Sequence, residues 1–275
     1  MSKRKIFYSL PASTRFILRQ LYYLPIDLFI KIFNPNTLEP PKGQIYTGGG
    51  DFKETGKKFK DFFIEYADLN PESNILDIGS GIGRMAIPLA QYLNHSSKYE
   101  GFDVVEKGVK WCERNITTSY PNFTFQYIDL HNDLYKKGGS TATEFNFPYS
   151  ANTFDVAISI SVFTHMIESE MIHYIKEVYK VLKPGGKCFA TFFVYDEQTE
   201  PSRNDFQFNY SEGNYALMDK RVKSANVAYE LYFLLNSIEK IGFDICFLNR
   251  GNWQKYMSEE SLDFQDIIVF QKKSK

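Results

Sequence analysis

The chain has 275 residues, enough to bury a large core and well beyond a small scaffold held by disulfides. With 43% hydrophobic and 24% charged residues it is neither disordered nor fibrous in composition. Lys and Arg total 32 against 33 Asp and Glu, so the molecule has no overall basic field and DNA is not expected as a partner. Cys112, Cys188 and Cys246 lie far apart and form no Cys/His spacing, which predicts a reduced compartment and no metal. The opening Met1-Ser-Lys-Arg-Lys-Ile lacks the apolar run and cleavage site of a signal peptide, so a cytoplasmic location is expected. The Asn-x-Ser/Thr triplets at Asn94, Asn115, Asn122 and Asn209 are then read as chance. The aromatic share of 17% is read as core filling.

Residues 1–44 form a basic, aromatic-rich amphipathic extension, in whose first forty residues Lys3, Arg4, Lys5, Arg15, Arg19 and Lys31 face only Asp27 and Glu39. Arg19, Asp27 and Lys31 interrupt its apolar stretch too often for a bilayer span. Two roles stay open: a helical cap on the main domain, or a contact between residues 3–33 and an anionic membrane surface or a protein partner. Pro40-Pro41-Lys42-Gly43 closes the segment, and residues 45–275 are expected to form one domain.

Tyr46-Thr47-Gly48-Gly49-Gly50 precedes a helix signalled by Asp51 as N-cap, Glu54 three residues on, and Phe59, Phe62, Phe63 and Tyr66 at helical spacing. Asn74-Ile-Leu-Asp-Ile-Gly-Ser-Gly-Ile-Gly-Arg84 then reads as strand, glycine turn and helix, the helix running Met85 to Leu93 with Pro88 as a kink if it lies past the first turn. A second strand ends in Asp103, a helix covers Lys107 to Ile116, and a third strand ends in Asp129. Phe154 to Ser161 is a fourth strand. Met171, Tyr174, Ile175, Val178 and Leu182 mark a helix face that stops at Lys183-Pro-Gly-Gly186, and Lys187 to Tyr195 is a fifth strand. This alternation predicts a parallel sheet covered on both faces. Residues 196–226 read as a long substrate loop or lid. A helix Val227 to Ile241 follows, and the strands Phe243 to Leu248 and Asp266 to Gln271, with no helix between them, are expected to pair antiparallel.

Ligands of open α/β sheets bind beyond the carboxyl ends of the strands, where this chain carries Asp77, Asp103 and Asp129 beside a glycine turn. Such a rim suits a nucleoside: a carboxylate after the second strand can accept both ribose hydroxyls, and bare glycine backbone lets N–H groups approach the ligand.

On Leu76-Asp-Ile-Gly-Ser-Gly-Ile-Gly-Arg84, Gly101-Phe-Asp103, Asp129, Phe154-Asp-Val with His165, and Val181-Leu-Lys-Pro-Gly-Gly186, the sequence resembles the class I S-adenosylmethionine-dependent methyltransferases of the broad small-molecule type. The resemblance covers about residues 45–195. It implies a Rossmann-like, doubly wound seven-stranded α/β sheet of order 3-2-1-4-5-7-6 with strand 7 antiparallel, here with a helical N-terminal extension. It implies S-adenosylmethionine as cofactor, with Asp77, Gly79, Ser80, Gly81 and Gly83 under its methionine and ribose. Asp103, with Val104 beside it, would take the ribose hydroxyls, Asp129 the adenine amino group, and Leu130 the adenine face. Ser159 and Ser161 would serve the methionine end, and Gly49 and Gly50, with Asp51 and Phe52, would close over the cofactor.

Methyl transfer chiefly requires alignment and exclusion of water, and a base only where the acceptor loses a proton. His165 is the candidate base, since imidazole titrates near neutrality; the other reading is that it only hydrogen-bonds a loop backbone. His131, Tyr195 and Asp196 stand behind it, and His173, within a helix, is expected to be structural. No Asn-Pro-Pro-Tyr-like tetrapeptide follows the fourth strand, which favours a small or medium-sized acceptor, methylated at oxygen, under residues 196–226. The alternatives are an RNA methyltransferase and an inactive cofactor-binding partner protein. The glycine spacing and Lys-Pro-Gly-Gly argue against a nicotinamide oxidoreductase.

Overall fold

The computed structural model describes residues 12–35, 37–46, 48–130, 139–197, 206–254 and 260–274. Its centre is a twisted sheet whose strands are too apolar to face water on either side. All four residues of β1 (Ile75–Ile78) are buried, and β4 (Phe154–Ser159) is nearly so. Burial on both faces is the pattern of a parallel sheet sandwiched between helices. β2 (Tyr99–Asp103) and β3 (Phe123–Tyr127) lie on one side of β1. On the other, beyond β4, come β5 (Leu182–Phe192), β11 (Asp266–Lys272) and the edge strand β10 (Phe243–Asn249).

The order from β3 across to β10 is the expected 3-2-1-4-5-7-6, with β11 as the seventh strand, antiparallel to both neighbours. Helix α1 (Ala12–Phe33) precedes this body. On one face of the sheet, α2 (Phe52–Tyr66) packs Phe59 and Phe63 on Phe189 of β5, and α3 (Ala86–Ala90) and α4 (Glu106–Cys112) bury Leu89, Val109 and Cys112 in the same cluster with Ile75 of β1 and Tyr99 of β2. On the other, α5 (Glu168–Val181) and α6 (Leu231–Ile241) bury Tyr174, Ile175, Val178, Leu234 and Ile238.

Several boundaries differ from the sequence reading for local reasons. The helix after the glycine turn starts only at Ala86, so Pro88 falls in its first turn, where a missing N–H costs nothing and no kink is required. Lys183-Pro-Gly-Gly186 is a bulge at the start of β5: the pairing with β4 jumps from Leu182 opposite Phe154 to Lys187 opposite Val156. Gly186 is needed there, since a Cβ would lie 2.9 Å from the Lys183 carbonyl oxygen and 3.0 Å from that of Asp155. The expected helix Val227 to Ile241 splits in two. β9 (Val227–Glu230) is a strand with Val227, Ala228 and Tyr229 fully buried, and α6 begins after it, N-capped by the Glu230 carboxylate, which accepts from the Tyr232 and Phe233 amides.

The described part of residues 196–226 is not a bare loop. It carries β7 (Tyr210–Ser211) and β8 (Tyr215–Leu217), which join β9 and β6 (Val194–Tyr195) in a second sheet of order β6-β9-β8-β7. This sheet brings residues 223–225 back to the segment after β4.

Candidate active site

The site lies at the carboxyl ends of β1, β2 and β4, where the glycine turn leaves β1. One cavity there is lined by Asp77, Gly79, Ser80, Gly81, Asp103 and Val104, and by Leu130, Ser161 and His165 across from them. Asp77 is buried at the end of β1 and accepts a hydrogen bond from the hydroxyl of Tyr99, which starts β2. Burial pushes the Asp77 carboxyl up to about 7, the Tyr99 bond offsetting only part of that, and nearby Asp103 adds repulsion. Asp103, ending β2, accepts from the Gly81 amide at 2.8 Å and the Val105 amide at 2.7 Å. Burial still raises it to about 6 against those bonds. The chain turns out of β1 with Gly79 at φ +77°, and a Cβ there would lie 2.4 Å from Val162 Cγ2, so the turn and the β4 exit approach as only glycine permits.

The other wall is built after β4. Ser161 is held at φ +59°, its amide donating to Thr191 Oγ1 and its hydroxyl to Gln265. The 3-10 turn Phe163–His165 then aims His165 at residues 223–225, where its Nδ1 lies 2.8 Å from the Ser224 carbonyl oxygen. A carbonyl only accepts, so Nδ1 carries the proton and Nε2 keeps its lone pair. Desolvation lowers the His165 pKa, outweighing the backbone bonds to Ser224 and Ala225, so the ring is neutral at physiological pH. Glu170 and Tyr174 of α5 also line the cavity, Glu170 while accepting from the Ile167 amide at 3.0 Å. At the rim, Arg84 reaches the Gly49 carbonyl at 3.5 Å and stacks over Phe52 at 5.2 Å, tying the segment before α2 to the glycine turn.

A sequence profile of the family described as "Methyltransferase domain" matches residues 75–186, the segment that supplies this turn and both acidic strand ends. Residues 75–186 are thus a methyltransferase domain, on a sheet of the class I S-adenosylmethionine-dependent kind. Over 135 residues the chain is 26% identical to a ubiquinone/menaquinone biosynthesis C-methyltransferase of Wigglesworthia glossinidia brevipalpis, covering 49% of this chain and 48% of that protein. It is 30% identical over 180 residues to phosphoethanolamine N-methyltransferase 3 of Arabidopsis thaliana, 65% of this chain and 31% of that one. It is 27% identical over 175 residues to an 18S rRNA (guanine-N(7))-methyltransferase of Saccharomyces cerevisiae, 58% and 57%. The chain thus spans about half or less of the first two relatives. Among solved structures, the [4+2]-cyclase SpnF shares the fold with a TM-score of 0.56 at 18% identity, covering 94% of this chain and 97% of that one.

The cofactor of this family is S-adenosylmethionine, and the methyltransferase domain's cavity fits such a ligand. It has two buried carboxylates on one wall, backbone exposed at glycines, and the Ser80 hydroxyl buried without a hydrogen-bond partner. Of the expected contacts, Gly83, Asp129, Ser159, Gly49, Gly50, Asp51 and Phe52 do not line the cavity. Gly83, at φ +80°, sits against Ile116 and Cys112 and serves helix packing. Asp129 is exposed just beyond β3, its carbonyl taking the Ser140 amide. Ser159 is fully buried with its hydroxyl unpartnered. Gly49 and Gly50 stay outside, while their neighbour Gly48 is at the rim. Tyr195 and Asp196 are not lining residues either, and Asp196 pairs with Arg250 at 2.6 Å. His173 bonds the Phe145 carbonyl from within α5. His131 and residues 198–205 lie outside the described residues. The sequence reading missed Tyr46, Arg84, Glu170, Tyr174 and Ser224. Glu170 and Tyr174 had a legible signal, one helical turn apart and directly after the His165 segment. Ser224 had none, because the second sheet delivers it.

Proposed function

We propose that the protein transfers a methyl group from S-adenosylmethionine to an oxygen of a small or medium-sized acceptor, with His165 taking the acceptor's proton. The observation that carries this reading is the fixed tautomer of His165: a neutral imidazole with Nδ1–H held by Ser224, and Nε2 as acceptor, lining the same cavity as Asp77 and Asp103. A neutral base is of use to a hydroxyl acceptor, which must lose its proton as the bond to carbon forms. When bound, S-adenosylmethionine supplies an activated sulfonium methyl. Asp103 and the Gly79–Gly81 backbone hold and orient the nucleoside, Asp77 faces the methionine end, and the apolar walls at Val104, Leu130 and Met166 exclude water. The segment 223–225 lies over the acceptor side.

Named relatives act at carbon, at nitrogen and on ribosomal RNA, and a protein of this fold is named a cyclase, so the acceptor must be tested directly. Calorimetric titration with S-adenosylhomocysteine, with NAD as control, comes first; micromolar binding of the former alone is expected. Asp103→Ala then abolishes binding, whereas His165→Ala keeps binding and slows transfer to hydroxyl acceptors. Equal loss of binding in both variants overturns the assignment of roles. Salt-sensitive retention of RNA by the protein, with methyl transfer to it, replaces the small acceptor by RNA.

A further inference from the structure

Helix α1 is turned inside out relative to an ordinary surface helix. Its packed side uses polar groups: the Asp27 carboxylate accepts from the Lys42 and Gly43 amides at 2.7 and 3.0 Å, and Arg19 Nε donates to the Lys42 carbonyl at 3.2 Å. The approach is close enough that a Cβ on Gly43 would lie 2.9 Å from the Gln20 backbone. The opposite side is apolar and bare. Leu21, Tyr22, Phe29, Ile32 and Phe33 are 62, 74, 61, 70 and 71% exposed. At about 100° per residue they fall, with the other exposed apolar side chains of α1, on one arc roughly 200° wide. From Ile17 onward no charged residue falls on that arc. A contiguous apolar face of this size requires a cover.

The charge pattern says which. The first 26 residues hold Lys3, Arg4, Lys5, Arg15 and Arg19 and no Asp or Glu, and the first acid, Asp27, is turned inward onto the 42–43 amides. A second copy of this chain would set that cationic segment against its like, whereas an anionic lipid surface neutralises it. Exposed Tyr and Phe belong at a headgroup boundary. No described helix is long and apolar enough to cross a membrane, so the fitting geometry is a helix lying in the interface. We infer that α1 seats the protein on an anionic lipid bilayer through its Ile17–Phe33 apolar arc. The cavity alongside α1, about 960 Å³, is lined in part by Leu24, Leu28, Phe29 and Phe33 of that arc and shares Gly48 with the active-site cavity, so this seat brings the site mouth to the membrane surface.

The test is flotation of the full chain with vesicles of phosphatidylcholine, or of an equal mixture of phosphatidylcholine and phosphatidylglycerol. Wild type floats with the mixture, less with phosphatidylcholine alone and less in high salt. The double variant Leu21→Glu/Phe29→Glu binds the mixture at least about tenfold more weakly. Both side chains are exposed, so the variant keeps its melting temperature and its affinity for S-adenosylhomocysteine. Wild type remaining with the unbound fraction overturns the inference, as does equal flotation of the variant. A lipid-free dimer by light scattering that the variant abolishes also overturns it, because a second copy then covers the face. If S-adenosylhomocysteine fails to bind wild type while flotation succeeds, the methyl-transfer reading fails and the membrane seat stands.

Discussion

Asp77→Asn separates the electrostatics of the site floor from its shape. Burial raises the folded-state carboxyl of Asp77 from 3.8 to about 7, so the folded protein holds a proton that the unfolded chain releases. Its contribution is therefore fully present below pH 4 and is lost as pH rises through 7. Ionising this group in the folded protein costs roughly 4 kcal/mol in full, at about 1.4 kcal/mol per pH unit. Between pH 6 and pH 8 the folded-state carboxyl goes from mostly protonated to mostly ionised, a loss of about 1 kcal/mol. Asp103 and Asp266, each raised to about 6, are already half ionised at pH 6 and together lose less than Asp77 over the same interval. For a chain of this size the Asp77 share is a drop of about 2–4 °C in melting temperature. Asparagine keeps the acceptor for the Tyr99 hydroxyl and removes the titration. The assay is thermal unfolding of ligand-free wild type and Asp77→Asn in matched buffers from pH 6 to pH 8. Wild type loses the larger increment, and Asp77→Asn has a flatter profile by about that 2–4 °C. Parallel profiles would refute the buried-carboxyl argument. Saturating S-adenosylhomocysteine, which brings an ammonium group, should shrink the wild-type loss and not that of the variant.

The remaining predictions address the base, the packing behind the turn, and the bolt at the end of β11. His165→Gln leaves affinity for S-adenosylhomocysteine within about twofold and lowers turnover of a hydroxyl acceptor by roughly 10²–10⁴; because burial lowers the imidazole pKa, wild-type turnover falls only as pH drops below its ordinary value near 6.5, and a limb above that value would contradict the assignment. Gly83→Ala places a Cβ at φ +80°, 2.6 Å from Ile116 Cδ1 and 3.1 Å from Cys112 Sγ, and should cost about 2–4 kcal/mol in urea unfolding from strain and overpacking together; a change below about 0.5 kcal/mol would show that α4 yields freely. Asp266 is fully buried and accepts from the Val194 and Gly251 amides, the Trp253 indole and Arg250. Asp266→Ala therefore strips four donors of their partner and should cost about 3–5 kcal/mol, read as a lowered urea midpoint.

The fold was legible wherever a segment's own pattern decides its state. β1 and β4 are short apolar runs bounded by turn residues, α2 carries its N-cap and a four-residue aromatic spacing, and the missing helix between β10 and β11 announces their antiparallel pairing. Where the state depends on partners far along the chain, the pattern misleads. Val227-Ala-Tyr-Glu continues the helical period of Leu231–Ile241, yet becomes a strand because β6 and β8 offer backbone partners on both sides and bury both faces. The 206–226 stretch looks like a loop because β7 and β8 are two and three residues long, too short for any period.

The same distinction divides the site. Its floor comes from one continuous segment, with Asp77, Gly79, Ser80 and Gly81 in five residues and Asp103 at the end of the adjacent strand. Strand register alone brings these together, since Asp77 lies opposite Gly101, two residues before Asp103. The roof is assembled from pieces 59 residues apart, and neither piece carries the information singly. His165 reads as a base or as a loop anchor from sequence, and the structure shows that it is anchored by one nitrogen so that the other is left free. The structural and the catalytic readings of that histidine are therefore complementary. The Ser224 carbonyl that fixes the tautomer is a backbone atom, indifferent to residue type, so Ser224→Ala should leave turnover unchanged. A proline at position 225, which shifts the 223–225 turn, should lower turnover without altering affinity for S-adenosylhomocysteine. Loss of turnover in Ser224→Ala itself would give the serine hydroxyl the role assigned here to the backbone.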